Sequence, residues 1–237
     1  MTRKNKISAI IVAAGRGRRF GSLKQFAPLC GKPVYEWSLD ALFSARGVSQ
    51  IIVAVPAGMT EKVRKAYAAS GGRAVKRGLS VKFVAGGSQR FDSVANALNA
   101  VSDTSSMVLV HDGARPLVTQ KIIADTIRAA AKQGAALAAM PATDTVKISS
   151  DGGRLVSRTV PRSSVFMAQT PQVFGKEIIM RAYERPDASA TDDSYLVENI
   201  GIQPALVAGS AENFKITTRR DMAAAEAILL ARKKVKR

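Results

Sequence analysis

A glycine-rich, basic segment follows the first apolar run of the chain. The run Ile7–Ala13 ends in small residues and leads into GRGRRFG (residues 15–21), with Lys24 just beyond. Small residues let backbone N–H groups approach phosphate oxygens, and arginine and lysine neutralise their charge. The Gly-Lys-Ser/Thr of a P-loop and the G-x-G-x-x-G of a dinucleotide fold are both missing. Tight turns also use glycine, but this combination favours a loop that binds a phosphorylated ligand.

Two further segments carry residues suited to such a site. GGS (residues 86–88) could contact a nucleotide through its backbone; alone it is better explained by an ordinary strand-to-helix turn, but after the basic glycine loop nucleotide contact is favoured. In VLVHDGARP (residues 108–116), Asp112 could hold Mg²⁺ or a substrate hydroxyl, and Arg115 a phosphate group. His111, the only histidine, could act as a general base, but a packed, hydrogen-bonded histidine is the better interpretation.

Short apolar runs alternate with longer amphipathic segments from Ile7 to Met140. Strands are predicted at Ile7–Ala13, Gln50–Val55, Val81–Val84, Met107–Val110 and Ala135–Met140. Helices are predicted at Val34–Arg46, Thr60–Ser70, Ser88–Val101 and Thr119–Gln133. The alternation indicates an α/β fold with right-handed crossovers and a mostly parallel sheet. Such sheets bind ligands beyond the carboxyl ends of their strands, where the segments described above lie.

The alternation ends after Pro141. Residues 144–162 place Asp-Gly-Gly (residues 151–153) between two segments that alternate apolar and polar residues, which predicts a β-hairpin. We interpret it as an arm, at about residues 143–163, that projects from the main sheet. Further elements are predicted as a strand near Phe166–Gln169, helices near Lys176–Tyr183 and Asp192–Asn199, a strand near Gln203–Val207 and a helix from Arg219. Since no linker-like composition divides the chain, residues 1–237 are expected to form one domain.

The chain is strongly basic, with a formal net charge of +18 over 237 residues. Such a charge indicates a polyanionic partner: nucleic acid, an acidic membrane or phosphorylated small molecules. Aromatic residues make up 5% and do not alternate with basic ones as a base-stacking surface would require, so specific nucleic-acid binding is not expected. No apolar run is long enough to span a bilayer. With a single cysteine, Cys30, no intrachain disulfide can form, and the cytoplasm is the expected compartment.

The first loop resembles that of the sugar nucleotidyltransferases, and further segments resemble the 2-C-methyl-D-erythritol 4-phosphate cytidylyltransferases of the non-mevalonate isoprenoid pathway. In the family's order, these are GGSQRFDSV (86–94), VLVHDGARP (108–116), DTVK (144–147), AQTPQVF (168–174), TDDSYLVE (191–198) and NFKIT (213–217). The resemblance implies a single Rossmann-like nucleotidyltransferase domain that transfers the cytidylyl group of CTP to a polyol phosphate, with Mg²⁺ or another divalent cation as cofactor. A ribitol 5-phosphate cytidylyltransferase shares most of these segments and stays open as an alternative. A basic nucleic-acid-binding protein on the same fold is a more remote one.

The resemblance also implies roles for individual residues. Catalytic residues that neutralise the phosphates of CTP are implied at Arg19, Lys24 and Lys215. Nucleotide-binding residues are implied at Ala13, Ala14, Gly15, Gly17, Gly86, Gly87, Ser88, Arg90, Ser93 and Asp112. Acceptor-binding residues are implied at Asp112, Arg115, Thr145, Arg162, Thr170 and Thr191, with Asp112 also the candidate Mg²⁺ ligand. In the family, the arm residues Thr145 and Arg162 reach the active site of a partner subunit, which implies a homodimer formed through the arm.

The expected acceptor is a phosphate monoester, largely dianionic at neutral pH. Its oxygen can therefore attack the α-phosphorus of CTP without losing a proton, and the reaction needs charge neutralisation rather than a general base. The chain departs from the family in its first loop. Two residues separate Gly21 from Lys24, where many members have about four, and Leu23 stands where proline is usual.

Overall fold

The computed structural model describes residues 6–15, 17, 20–70, 79–185, 187 and 189–234. Its strands are β1 (Ile7–Val12), β2 (Pro28–Leu29), β3 (Lys32–Pro33), β4 (Val48–Val55), β5 (Ser80–Ala85), β6 (Met107–Asp112), β7 (Ala135–Pro141), β8 (Val146–Ile148), β9 (Arg158–Val160), β10 (Phe166–Gly175) and β11 (Ala205–Ala208). Among the described residues, seven strands form one sheet in the order β11-β7-β10-β6-β1-β4-β5. Strand β10 runs antiparallel to both of its neighbours, and the other pairs are parallel.

Helices cover both faces of this sheet. They are α1 (Val34–Phe43), α2 (Thr60–Ala69), α3 (Arg90–Leu98), α4 (Gln120–Gln133), α5 (Lys176–Tyr183), α6 (Asp193–Asn199) and α7 (Arg219–Lys234). Because side chains alternate along a strand, Ile11 packs on the face covered by α1, α2 and α4, and Ile10 on the face covered by α3, α5 and α6. A third cluster fixes α7 against the residues around Leu29 and Leu117. The expected α/β fold with a mostly parallel sheet is confirmed.

The ends of several elements differ from those predicted. Strand β6 extends to Asp112 instead of ending at Val110, because the polar pair His111 and Asp112 still pairs in register with Ile11 and Val12 of β1. Strand β10 continues ten residues to Gly175, with an irregularity between Ala168 and Gln172, where a strand to Gln169 was predicted. Helix α1 ends at Phe43, and α3 covers only Arg90–Leu98. The polar end of β6 therefore belongs to the rigid sheet.

The predicted arm is present as the separate hairpin of β8 and β9. Val146 pairs with Val160, and Ile148 pairs with Arg158. At the turn, a side-chain oxygen of Asp151 accepts hydrogen bonds from the backbone N–H groups of Arg154 and Leu155, both at 3.0 Å. The Asp-Gly-Gly sequence thus makes the turn that it predicts. Within the described part of the chain, no helix combines the length and apolar character that crossing a bilayer demands.

Candidate active site

A cleft opens at the carboxyl ends of β1, β5 and β6. Four segments form its walls: the loop after β1, the turn between β5 and α3, the end of β6 and the segment before α7. Of the residues implied by the resemblance, those lining the cleft are Ala13, Ala14, Gly15, Gly17, Lys24, Gly87, Ser88, Arg90, Ser93, Asp112 and Lys215. The position agrees with the rule that open α/β sheets bind ligands beyond their strand ends.

The loop after β1 is held by a glutamine that the sequence did not single out. The side-chain amide of Gln25 is buried and donates to the carbonyl oxygens of Ala13 and Gly15, both at 2.7 Å. Gly17 has a φ of +63°, and a Cβ there would collide with the carbonyl oxygen of Ser22. The described residues of this loop are therefore held by contacts within the loop itself. Arg19, implied as catalytic, lies outside the described residues.

The turn between β5 and α3 has no space for side chains at its two glycines. A Cβ on Gly86 would collide with the Cβ of Ala14, and one on Gly87 with the Cβ of Asp92. The buried hydroxyl of Ser93 accepts from the N–H of Gly87 at 3.2 Å and donates to a backbone carbonyl. Gly86 thus lies behind the cleft wall, pressed against the loop after β1. The approach to Ala14 explains the need for Gly86, and the contact with Asp92 explains the need for Gly87.

Asp112 is a buried carboxylate surrounded by cations. Lys215 Nζ lies 3.1 Å and Arg115 Nε 3.2 Å from its Oδ2, and Arg90 Nε lies 3.5 Å from its Oδ1. Burial acts to raise the pKa of Asp112, but the charges of Lys215, Arg90 and Arg115 outweigh it and hold the pKa well below its usual range. Asp112 is therefore ionised at neutral pH, and the cleft keeps an excess of positive charge for a polyanion.

His111 is fully buried beside this carboxylate and does not line the cleft. Its Nδ1 lies 3.0 Å from Thr170 Oγ1, and its Nε2 lies 3.1 Å from the carbonyl oxygen of Arg115. Burial lowers the pKa of His111 to about 4, so the ring is neutral at physiological pH. The interpretation of His111 as a packed, hydrogen-bonded residue is confirmed, and a role as general base has no geometric support.

Comparison with known proteins identifies the family. The family model described as IspD: 2-C-methyl-D-erythritol 4-phosphate cytidylyltransferase matches residues 7–231. The chain belongs to this family. The 2-C-methyl-D-erythritol 4-phosphate cytidylyltransferase of Endomicrobium trichonymphae is 44% identical over 227 residues, covering 94% of this chain and 99% of the relative. That of Alkaliphilus oremlandii (strain OhILAs) is 39% identical over 234 residues, covering 97% of each chain.

Solved structures agree with this assignment. The crystal structure of 4-diphosphocytidyl-2C-methyl-D-erythritol synthase from Anaerococcus prevotii DSM 20548 is 32% identical, with a TM-score of 0.82 over 96% of this chain and 100% of that chain. The 2-C-methyl-D-erythritol 4-phosphate cytidylyltransferase of Thermus thermophilus is 34% identical, with a TM-score of 0.75 over 94% and 98% of the two chains. The fold therefore matches IspD cytidylyltransferases along nearly its whole length.

The residues that the IspD resemblance assigns to the acceptor are spread over three places. Arg115 lies next to the cleft, where its Nη1 donates to the carbonyl oxygen of Asn213 at 2.8 Å. Thr170 is buried behind Asp112, and Thr191 lines a separate surface depression beside β10 and β11. Thr145 and Arg162 are exposed at the base of the arm. A single chain thus does not bring these residues together around one ligand, and their roles stay predictions.

A magnesium ion in an IspD cleft needs oxygen ligands. Within the part of the chain that the structure describes, no group of three or more His, Cys, Asp or Glu side chains could hold a metal, and Asp112 is the one carboxylate that lines the cleft. Mg²⁺ in nucleotide sites commonly takes one or two carboxylates and fills its shell with phosphate oxygens and water. The residues present therefore fit a magnesium ion held by Asp112 together with the triphosphate.

Proposed function

We propose that this chain transfers the cytidylyl group of CTP to 2-C-methyl-D-erythritol 4-phosphate and releases pyrophosphate. The observation that carries the proposal is the meeting in one cleft of the glycine loop after β1, the turn before α3, Asp112 and Lys215. The relatives that match nearly the whole chain bear the name of this activity, which favours methylerythritol phosphate over ribitol phosphate as the acceptor.

The reaction requires neither a base nor a covalent intermediate. An oxygen of the acceptor phosphate attacks the α-phosphorus of CTP, and the bond from that phosphorus to the oxygen bridging the β-phosphate breaks. Pyrophosphate leaves with the electron pair. Because the attacking phosphate is dianionic at neutral pH, no proton has to be removed from it. A buried neutral His111 and a strongly acidic Asp112 agree with this, since neither is suited to accept a proton.

The cleft stabilises the transition state by charge. Negative charge accumulates around the α-phosphorus as pyrophosphate departs, and preorganised cations in a site of low dielectric stabilise it strongly. Lys24 and Lys215 line the cleft in the described structure. Lys215 is also paired with Asp112, which restricts where its ammonium group can move. Both lysines therefore act by position and charge.

Magnesium would bind to Asp112 and to the triphosphate, where it would neutralise charge on the leaving pyrophosphate. Three cations surround Asp112 and keep its carboxylate ionised across the physiological range, which is the state that a metal ligand needs. Asp112→Asn should raise the magnesium concentration for half-maximal activity by about tenfold or more. If Asp112→Asn left the magnesium concentration for half-maximal activity unchanged, Asp112 would not be the magnesium ligand.

The functional unit that we propose is a homodimer joined through the arm. Apolar side chains are exposed on the arm and on strand β10 beside it, among them Leu155 at 74%, Val156 at 61% and Met167 at 51%. Large exposed apolar side chains in one region of the chain are what a surface covered by a second chain would present. The separation of Thr145 and Arg162 from their own cleft also supports a partner subunit, because in the family these residues serve the neighbouring site.

The test of the activity is pyrophosphate release with each nucleotide and acceptor in combination. CTP with 2-C-methyl-D-erythritol 4-phosphate should give the highest kcat/KM. Equal turnover with ATP, GTP or UTP would overturn the nucleotide assignment, and faster turnover of ribitol 5-phosphate would favour that enzyme instead. Tight RNA binding that persists at high salt, without turnover, would favour the nucleic-acid alternative.

A further inference from the structure

Arg90 bridges the cleft to a buried carboxylate behind it. Arg90 is the first residue of α3 and lines the cleft beside the glycine turn. Its two terminal nitrogens donate to the two carboxylate oxygens of Asp193, Nη1 to Oδ1 at 2.8 Å and Nη2 to Oδ2 at 2.6 Å. Its Nε lies 3.5 Å from Asp112 Oδ1. One guanidinium group therefore connects two carboxylates, one of which belongs to the cleft.

A tyrosine completes the environment of Asp193. Tyr183 donates its hydroxyl to Asp193 Oδ1 at 2.5 Å, and its ring stacks on Phe91 with centroids 4.7 Å apart. Burial raises the pKa of Tyr183, and the neighbouring carboxylate raises it further, so the hydroxyl keeps its proton. Asp193 itself is fully buried at the start of α6 and does not line the cleft. Its carboxylate is fixed from two sides.

Without Asp193, the guanidinium of Arg90 would donate its hydrogen bonds to other anions. Its terminal N–H groups would turn toward Asp112 or toward the triphosphate in the cleft, because a buried guanidinium seeks carboxylate or phosphate oxygens. Asp193 accepts one N–H from each terminal nitrogen and so holds the guanidinium plane in place, with Nε beside Asp112. The pairing thus fixes the position of Arg90 next to one oxygen of Asp112.

We propose that Asp193 is a positioning residue for cytidylyl transfer, which acts through Arg90 on Asp112. The inference rests on the proposed function, because the step that it serves is the transfer reaction. A bound nucleotide would still meet a positive cleft in Asp193→Asn, so ground-state binding of CTP persists. Lys215 and Arg115 would still hold Oδ2 of Asp112, but Oδ1 would lose its fixed cationic neighbour, so the transition state would be less well stabilised.

The expected signature is a separation of kcat from KM. Asp193→Asn should lower kcat by about tenfold or more and change the KM for CTP by less than about threefold. Calorimetry should still find one CTP bound per chain, which excludes a smaller folded fraction as the cause. A kcat within about twofold of wild type, with CTP binding intact, would overturn the proposal.

A double-mutant cycle shows whether Arg90 transmits the effect. Arg90→Lys keeps a cation beside Asp193 but cannot bridge both carboxylates, so it should reproduce most of the loss in kcat. Adding Asp193→Asn to it should cost less than about a further twofold. If the two losses multiply, Asp193 acts independently of Arg90 and the proposal is wrong. Should Asp193→Asn not fold, Tyr183→Phe takes its place and should lower kcat only in the presence of Arg90.

Val197→Ala is the matched control for stability. Val197 is fully buried on the same helix α6 and belongs to the apolar core beneath it. Its truncation should lower the melting temperature without lowering kcat per bound CTP. A kcat loss in Val197→Ala equal to that of Asp193→Asn would reduce Asp193 to a structural role. Wild-type protein that binds CTP but transfers nothing would contradict the proposed function instead, so the two failures can be told apart.

Discussion

The hydroxyl of Thr170 lies 3.0 Å from Nδ1 of His111, and the same oxygen accepts the backbone N–H of Asp112 at 3.0 Å. The carbonyl oxygen of Arg115 can only accept, so Nε2 carries the single proton of the neutral ring and donates it to that oxygen. Nδ1 is then an acceptor, and Thr170 donates its hydroxyl proton to it. This chain of hydrogen bonds joins β10, the end of β6 and the turn after it. His111 thus fixes the backbone on which Asp112 and Arg115 sit.

The first prediction concerns stability below neutral pH. The unfolded chain binds a proton at His111 near pH 6.5, whereas burial lowers the folded pKa to about 4. Between these values the unfolded state binds more protons, so the free energy of unfolding should fall by about 3 kcal/mol as the pH drops. Urea unfolding of wild type and His111→Gln at several pH values between 7 and 4 measures this. Equal slopes for both proteins would contradict the folded pKa.

The second prediction concerns the two lysines of the cleft. Lys24→Ala and Lys215→Ala should each lower kcat by about a hundredfold or more, because each removes a charge that faces the transferring phosphoryl group. The matched control is Lys121→Ala, on an exposed side chain of α4 outside the cleft, which should leave kcat unchanged. Steady-state kinetics measures kcat and KM for each variant. A raised KM with a normal kcat would show that the lysines only bind substrate. His111→Gln should be mild by comparison.

The third prediction concerns the contact between two loops. Gly86→Ala should push the turn before α3 away from Ala14 and raise the Kd for CTP by about tenfold, because overpacking of this kind costs about 1–3 kcal/mol. Adding Ala14→Gly removes the closest of the atoms that the new methyl group meets, while the Oγ of Ser93 at 2.8 Å remains, so the double variant should recover part of the affinity. CTP titration calorimetry measures both. A double variant as weak as Gly86→Ala alone would show that the steric contact is not the cause.

Much of this cleft could be predicted from the sequence, because its loops follow strands directly. The segment after Ile7–Val12 and the turn at Gly86 carry their own signals in glycine and basic residues, and a parallel sheet places them at the same edge. The end of β6 was less predictable. Polar residues such as His111 and Asp112 normally mark the end of a buried strand, yet here a parallel neighbour continues to pair with them.

The supporting residues could not be predicted, for a physical reason. Gln25 and Asp193 are single polar side chains, and each supports the site only through the groups that it contacts in the folded chain. Asp193 pairs with Arg90 across 103 positions of sequence, and no local pattern encodes that contact. The sequence TDDS gives only a weak indication of this role. One carboxylate is enough to cap the start of a helix, but two consecutive ones stand there. Long-range pairing of this kind becomes visible only once the sheet has been assembled.

The fourth prediction tests whether the arm serves the neighbouring subunit. Arg162 donates to the carbonyl oxygen of Thr143 at the base of its own arm and does not line the cleft of its own chain. If a partner's cleft needs this guanidinium, Arg162→Ala should therefore be inactive or nearly so. Exposed Leu155 and Val156 give the arm an apolar surface that a second chain can cover, and a two-fold axis lets two arms clasp each other.

Mixing two inactive variants separates the possibilities. When Lys24→Ala and Arg162→Ala chains exchange subunits, a mixed dimer with arms acting in trans has one site with both defects and one with neither. Each mixed dimer then regains one working site, and about half of the dimers are mixed at equal concentrations, so roughly a quarter of wild-type activity per site should return. With arms acting in cis, both sites of every dimer stay damaged and mixing restores nothing. Light scattering that finds only monomer at the assay concentration would likewise end the idea, because a monomer has no second cleft for Arg162 to reach.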